Sequence, residues 1–198
     1  MRMGASSYVA VSLLASTTML GLGISSMTFA APQCPEGSYG YEVEGYVNTA
    51  NITDTTQVGS IYIIIKDEDT NDVVFEDTGS LVGNITNVSV SFPPPEYTPL
   101  ISTQLFHTAS FRGNNTFVTN NDLAEFNFID DVRKVDIDGP CSHWVYEEIT
   151  EIAGGNKFFS DVTEVMIVTN NGYISNCTDE NQNEFDLYGY ICFEESKK

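Results

Sequence analysis

Apolar and polar side chains alternate along several short segments of this 198-residue chain, and this alternation is the feature that most restricts its fold. Within Val58–Lys66, for example, Ile61, Ile63 and Ile65 fall on one side. A repeat of two residues is typical of a β-strand with one buried face. No long segment has the 3.6-residue repeat of an amphipathic helix, so the pattern predicts an all-β protein.

The second half of the chain repeats this pattern between turn signals. In segment 100–112, one predicted strand face carries Leu105, His107, Ala109 and Phe111. Gly113-Asn114-Asn115 follows and predicts a hairpin, and Asn170-Asn171-Gly172 predicts another. Segment Trp144–Ile152 is compatible with a strand or a short helix, and we favour the strand.

Polar turns at intervals of about 8 to 14 residues separate about ten β-segments. Strands with this spacing either close into a barrel or pair as two sheets. We therefore expect an antiparallel β-barrel of the calycin-like kind, with a β-sandwich as the alternative. There is no convincing internal repeat, which argues against a solenoid or a propeller.

The N-terminus resembles a targeting segment. Arg2 is the only charged side chain before Glu36, and the apolar stretch between them ends in small residues at Ala30. This order is typical of a secretory signal peptide, here residues 1–30. A membrane anchor is the competing interpretation, but Ser, Thr and Gly interrupt the apolar stretch. We therefore expect residues 31–198 to be one secreted domain, periplasmic or extracellular, that is not inserted in a membrane.

The charge balance excludes whole classes of partner. The chain has 28 acidic and 8 basic side chains, a formal net charge of −20. Nucleic acids and anionic membranes are bound through clustered cations, which this chain lacks. The sequence therefore predicts no nucleic-acid partner.

Cysteines and glycosylation motifs agree with export. The four cysteines Cys34, Cys141, Cys177 and Cys192 predict two disulfides, with all three pairings left open. A zinc site is disfavoured because no close C-x-x-C pair occurs. Candidate glycosylation sites of the form Asn-x-Ser/Thr occur at Asn51, Asn84, Asn87, Asn114 and Asn176.

Two groups of residues are candidates for catalysis. His107 and His143 are the only histidines; His107 is interpreted as a packed core residue, and the adjacent Ser142 and His143 point to opposite faces of a strand. Four acidic residues near the C-terminal half suggest paired carboxylates, but a solvated face is the preferred interpretation. They are Glu147, Glu148, Glu151 and Glu164. We therefore assign no catalytic residue.

Two further groups of residues are candidates for ligand binding. Asp130-Asp131 and Asp136-Ile137-Asp138-Gly139 offer carboxylates for calcium, but their spacing does not match an EF-hand loop, so no metal and no cofactor is assigned. Seven aromatic residues either line a pocket or fill the core, and core packing is preferred. They are Tyr39, Tyr41, Phe126, Phe128, Phe158, Tyr188 and Tyr190.

Three phrases in the C-terminal half carry a family resemblance. The first is His107-Thr108-Ala109-Ser110-Phe111, followed by Gly113, Phe117-Val118-Thr119 and Asp122. The others are Gly154-Gly155-Asn156-Lys157-Phe158 before Val162-Thr163, and Phe185–Cys192. Together they resemble the allene oxide cyclase-like and dirigent-like barrels, especially small exported members. The resemblance implies an antiparallel barrel and an enzyme that orients a small hydrophobic substrate in its cavity. None of the phrases matches a catalytic residue of that family.

Three functions remain open at this point. The first is a non-catalytic module that binds a small apolar ligand or an extracellular partner. The second is the cyclase-like or dirigent-like enzyme that the resemblance implies, and the third is a structural surface protein. An open interior cavity favours ligand or substrate capture, and a filled barrel favours a structural role. The ligand binding site and the oligomeric state are left unassigned.

Overall fold

The structure is a computed structural model that describes residues 34–91, 100–120, 122–128, 135–136, 139–177 and 180–195. The predicted signal peptide lies outside these residues, as do Asp130, Asp131 and Asp138 of the calcium candidates. Asp136 is described only as part of a short strand. Within the described part of the chain, no helix is long and apolar enough to cross a membrane.

The described residues form twelve strands and two short 3-10 turns. The strands are β1 (Ser38–Thr53), β2 (Thr56–Asp67), β3 (Val73–Ser91), β4 (Leu100–Ser110), β5 (Thr116–Thr119), β6 (Asp122–Phe128), β7 (Val135–Asp136), β8 (Gly139–Pro140), β9 (Ser142–Ile149), β10 (Ile152–Asn156), β11 (Val162–Cys177) and β12 (Glu180–Glu194). The 3-10 turns are Arg112–Asn114 and Lys157–Phe159.

Eight strands close into an up-and-down antiparallel barrel in the order β1-β2-β3-β4-β6-β9-β11-β12, with β12 pairing again with β1. The short strands β5 and β10 form a side sheet that branches from the end of β4, and β7 pairs with β8 apart from the barrel. The predicted antiparallel barrel is confirmed, and the β-sandwich alternative is excluded.

The two-residue alternation places one side of each barrel strand in the interior. Ile61, Ile63 and Ile65 of β2 are at most 4% exposed, as their spacing predicts. Leu105, His107 and Ala109 of β4 are also buried. Segment 142–149 is a strand rather than a helix, with Val145, Glu147 and Ile149 buried, so that prediction is confirmed.

One predicted turn is a strand instead. Asn170-Asn171-Gly172 does not form a hairpin but lies within β11, where the pairing registers with both β9 and β12 shift. A Cβ atom on Gly172 would lie 2.3 Å from the carbonyl oxygen of Val145 and 2.9 Å from the ring of Phe185. The glycine therefore permits close approach of neighbouring strands at a bulge, and a turn signal in the sequence marks that bulge.

The predicted hairpin at Gly113-Asn114-Asn115 is confirmed. The 3-10 turn Arg112–Asn114 joins β4 to β5, which pair antiparallel. Gly113 and Asn114 have φ values of 70° and 62°, a conformation that suits glycine and asparagine.

Aromatic side chains fill the barrel end at which β1 begins and β12 ends. We call this cluster the aromatic plug; its rings are in contact, with centroids 4.7 to 5.9 Å apart between neighbours. It consists of Tyr41, Phe75, Phe111, Phe117, Phe158, Phe159 and Phe193. Phe159 at its centre is 1% exposed, so this end of the barrel is closed by packed apolar surface.

All four cysteines form disulfides, as predicted. Cys34 is joined to Cys192, which connects the segment before β1 to β12 at the plugged end. Cys141 is joined to Cys177, which connects the start of β9 to the end of β11 at the opposite end. Two disulfides are consistent with an extracellular or otherwise oxidising compartment.

Candidate ligand-binding cavity

A cavity of about 650 Å³ occupies the barrel interior at the end opposite the aromatic plug. Its rim includes the β1–β2 turn, where Ile52 is 60% exposed, and Val88 of β3, which is 54% exposed. Deeper in the barrel, the buried side chains of Leu105 and Phe185 line the wall. Among the described residues, the cavity therefore runs from an exposed rim to a buried inner end.

Glu147 stands at the inner end of this cavity. Gln57, Glu147 and Phe185 line both the main cavity and a smaller void of about 30 Å³ beyond it. His107 lines only the inner void. Phe117, which belongs to the aromatic plug, also lines the smaller void.

Three adjacent strands bring His107, Asp122 and Glu147 together. In the register, Leu105 of β4 lies opposite Asp122 of β6, and Ala124 of β6 lies opposite Glu147 of β9. Each of the three polar residues lies two positions from a buried apolar residue of its own strand, so its side chain also points into the barrel. We call His107, Asp122 and Glu147 the acid cluster.

The acid cluster is buried and tightly packed. His107 Nδ1 lies 2.9 Å from Asp122 Oδ2 and 3.2 Å from Glu147 Oε1. The side chains of His107, Asp122 and Glu147 are 7%, 0% and 6% exposed. Thr119 of β5 donates its hydroxyl hydrogen to Asp122 and accepts the backbone N–H of His107 at 2.8 Å. Asp122 is thus held by two donors, the His107 ring and the Thr119 hydroxyl.

A second buried network sets the orientation of the His107 ring. Gln57 Oε1 accepts hydrogen bonds from the Thr49 hydroxyl at 2.7 Å and from Asn183 Nδ2 at 3.2 Å, which leaves Gln57 Nε2 facing His107 Nε2 at 3.4 Å. In the neutral ring, Nε2 then accepts from Gln57 and Nδ1–H donates to Asp122. The acid cluster also offers three possible metal-ligand atoms, one from each residue, that lie within 4.8 Å of one another. They could coordinate a divalent cation only after His107 Nδ1 lost its proton.

The electrostatics of the acid cluster favour bound protons. Burial raises the pKa of Glu147 to about 7, the Asp122 charge adds to this, and His107 opposes it. Burial alone would lower the pKa of His107, but the charges of Glu147 and Asp122, together with the hydrogen bond to Asp122, raise it overall. The Gln57 amide nitrogen at 3.4 Å disfavours a proton on His107 Nε2. The two carboxylates, at 2.9 and 3.2 Å from Nδ1, favour the charged ring more strongly.

The sequence placed these residues on the correct faces but not in one site. His107 is buried, yet it lies among carboxylates rather than in apolar packing. The interpretation of the glutamates as a solvated face is wrong for Glu147, which is buried because it has the phase of Val145 and Ile149. Glu148, Glu151 and Glu164 are not buried and lie outside the acid cluster. Asp122, which the sequence offers only as the end of a family phrase, joins the cluster because it has the phase of Ala124.

The other predicted candidates are dispersed. His143 lines the cavity wall, and burial lowers its pKa, while the adjacent Ser142 bonds instead to Ser175 and Tyr173. Tyr41 and Phe158 belong to the plug, in agreement with core packing. Tyr39 and Tyr188 are exposed, and Tyr190 donates to Glu164. The side chains of Phe126 and Phe128 lie outside the described part.

Three of the glycosylation candidates lie at the cavity end of the barrel. Asn51 lines the cavity and hydrogen bonds to Asn183, Asn84 is half-buried on β3, and Asn87 is exposed. Asn114 is exposed in the turn at the plugged end, and the side chain of Asn176 lies outside the described part. Their glycosylation stays a prediction.

Comparisons with known proteins give no relatives: no family model, no curated protein and no solved structure matches this chain. The resemblance to the allene oxide cyclase-like and dirigent-like barrels therefore stays an expectation from the sequence phrases alone.

Proposed function

We propose that this protein is a secreted, non-catalytic binding module that holds a small, largely apolar ligand inside its barrel. The observation that carries this proposal is the cavity of about 650 Å³, which is closed inward by the aromatic plug and has exposed residues at its rim. Binding sites for small molecules are typically clefts of about 300 to 1,000 Å³ with mainly apolar walls and a few polar groups.

The walls suit this role because they are built from paired strands. Leu105, Ala124, Val145 and Phe185 present apolar surface from β4, β6, β9 and β12, and each of these strands is hydrogen bonded on both sides. A wall of this kind is largely formed before the ligand arrives, so little free energy is lost in ordering it. A structural surface protein has no need of such a space, which is why we rank that role lower.

Binding of a neutral fluorescent probe tests the proposal. N-phenyl-1-naphthylamine should bind the wild-type protein with enhanced fluorescence. Ala124→Phe, which fills the cavity, should weaken binding at least tenfold, whereas Leu123→Phe on the outer face of the same strand should leave it unchanged. Val88→Trp at the rim gives a second obstruction that does not enter the core. Equal probe binding by all of these variants would contradict a ligand site in the barrel.

An enzyme of the cyclase or dirigent kind is the second candidate, and one observation favours it. Glu147 lines the cavity and has a pKa of about 7, so it can give or take a proton at neutral pH. Turnover of a small hydrophobic epoxide by the wild type, lost in Glu147→Gln while probe binding persists, would support this candidate. Probe binding without turnover would leave the binding module.

A further inference from the structure

We infer that the ligand of this cavity is an amine, whose ammonium N–H groups bind the carboxylate of Glu147 while its carbon skeleton fills the apolar part of the barrel. This inference rests on the proposed function and specifies the chemistry of its ligand. It depends on the contacts of Glu147, the charge of the acid cluster and the composition of the cavity wall.

Glu147 lacks a hydrogen-bond donor. Its Oε1 atom is buried and accepts no hydrogen bond from the described residues. The nearest nitrogen, His107 Nδ1, directs its hydrogen to Asp122, which also receives the Thr119 hydroxyl. A buried carboxylate without a donor is unfavourable in an apolar site. A ligand N–H group that reaches this carboxylate from the cavity, which Glu147 lines, would supply a donor.

The charge of the acid cluster favours a cationic donor over a neutral one. With Asp122 ionised, the cluster is neutral when His107 and Glu147 each hold a proton, carries one negative charge when they share a proton, and carries two when neither holds one. No Lys or Arg among the described residues lines the cavity. An ammonium group would neutralise the excess charge, whereas a carboxylate on the ligand would increase it.

The surroundings of Glu147 limit the rest of the ligand. Ala124, Val145 and Phe185 line the cavity with it and offer apolar surface to the atoms next to the nitrogen, while Gln57 and Thr103 add polar groups. The whole chain has a net charge of −20, which attracts cations to the barrel from a distance. A small hydrophobic amine fits all of these features.

Three ligands with the same ten-carbon chain and different head groups test this inference. Decylamine, decanol and decanoate, all below their micelle concentrations, are titrated against bound N-phenyl-1-naphthylamine at pH 8. We expect the dissociation constant of decylamine, measured by displacement of the probe, to be at least tenfold lower than that of decanol. Decanoate should have the highest dissociation constant of the three. In Glu147→Gln the preference for decylamine over decanol should disappear. Glu148→Gln, which alters the next and more exposed residue of β9, should keep the preference.

A pH series on the wild type makes the test independent of any variant. The groups facing Glu147 are His107 from β4 and Asp122 from β6, with the Thr169 hydroxyl of β11 on its backbone. His143 and Asp54 are the other titratable groups that line the cavity among the described residues. Protons on His107 and Glu147 compete with the ammonium, so the ratio of decanol to decylamine dissociation constants should rise from pH 6 to pH 8. In Glu147→Gln the rise should be much smaller.

The outcomes separate the two proposals. If decanol and decylamine displace the probe equally in wild type at pH 8, the amine inference is wrong and the binding module stands. If the preference for decylamine survives in Glu147→Gln, the inference is also wrong, because the ammonium then binds elsewhere. If none of the three ligands displaces the probe, or the probe itself does not bind, the proposed function fails.

Discussion

His107, Asp122 and Glu147 each occupy a position that the alternation of their strand reserves for an apolar side chain. The barrel interior thus holds three ionisable groups with side chains at most 7% exposed. Burial of this kind reduces stability unless protons, hydrogen bonds or opposite charges compensate. At the residue scale, the acid cluster is therefore a feature retained at a cost in stability, which is typical of functional sites.

Glu147→Gln should make the protein more stable at pH 8 and change it little at pH 5. The pKa of Glu147 is about 7 in the folded protein and ordinary in the unfolded chain, so the folded state binds this proton more tightly. Its contribution to stability is complete below the ordinary carboxyl pKa and is lost as the pH rises through 7. The expected gain at pH 8 is about 3 kcal/mol in the free energy of unfolding.

Urea unfolding of wild type, Glu147→Gln and Glu148→Gln between pH 5 and pH 8, without ligand, measures this effect. The raised pKa of His107 acts in the same direction in the wild type and depends first on the Glu147 charge, so both contributions to the decline with pH should shrink in Glu147→Gln. Parallel curves for wild type and Glu147→Gln would show that Glu147 is ionised in the folded protein throughout this range.

The ion pair between Arg112 and Asp77 predicts that stability falls as the pH is lowered, the opposite of the effect of Glu147. Arg112 donates to Asp77 from Nε and from its backbone N–H, at 2.7 and 3.0 Å, and holds the pKa of Asp77 below its ordinary value. Stability from this pair is present above the ordinary carboxyl pKa and is lost as the pH falls through the lowered value. Asp77→Asn should be less stable than wild type at pH 7, and urea unfolding should show this difference shrinking toward pH 2.

At the scale of single elements, the strands differ from a simple alternating pattern mainly where glycine allows a close approach. Gly172 lies at the bulge of β11, where a side chain would collide with the backbone of β9. Gly154 of β10 has no atom within 4 Å of its Cβ position. Two glycines in strands of one sheet therefore have different structural importance.

Gly172→Ala should lower the free energy of unfolding by about 2 to 4 kcal/mol, because its Cβ would lie 2.3 Å from the Val145 carbonyl oxygen. Gly154→Ala is the matched control and should change it by less than about 0.5 kcal/mol. Thermal and urea unfolding measure both. Similar stability of the two variants would mean that β9 and β11 adjust freely at the bulge.

These elements also indicate how far sequence can predict this fold. The phases of Ile61, Ile63 and Ile65 are local properties, so the strands and the antiparallel barrel follow from them. The Asn171-Gly172 pair predicts a turn because a bulge and a hairpin need the same permissive backbone. The acid cluster could not be predicted because it depends on which strands are neighbours. β4 pairs directly with β6 although β5 lies between them in the sequence, and no local sequence pattern indicates that pairing.

On the scale of the whole molecule, the two ends of the barrel differ. The plugged end is packed with aromatic rings and carries the Cys34–Cys192 disulfide. The cavity end carries the Cys141–Cys177 disulfide, and Cys177 itself lines the cavity. One end is thus closed by packed rings and the other contains the cavity, so the two disulfides should have separable effects.

Replacing both cysteines of either disulfide with serine should destabilise the protein, by about 4 kcal/mol for Cys141–Cys177 and about 5 kcal/mol for Cys34–Cys192 from loop closure. Only the Cys141–Cys177 variant should also weaken probe binding, since its loss loosens the wall next to His143. Urea unfolding and probe titration under native conditions measure the two effects. Equal loss of probe affinity in both variants would contradict this division between the ends.

The up-and-down order of the barrel has a consequence for how the chain can be rearranged. Strands β1 and β12 are neighbours in the ring, with Ser38 opposite Glu194 and the backbone N–H of Glu195 donating to Gly37. The ring therefore has no topological beginning, and a short linker from residue 195 to residue 34 would complete it. A circular permutant opened in the exposed Asp67–Asp72 turn would keep every strand pairing of the barrel and carry its new termini on the plugged side, away from the cavity.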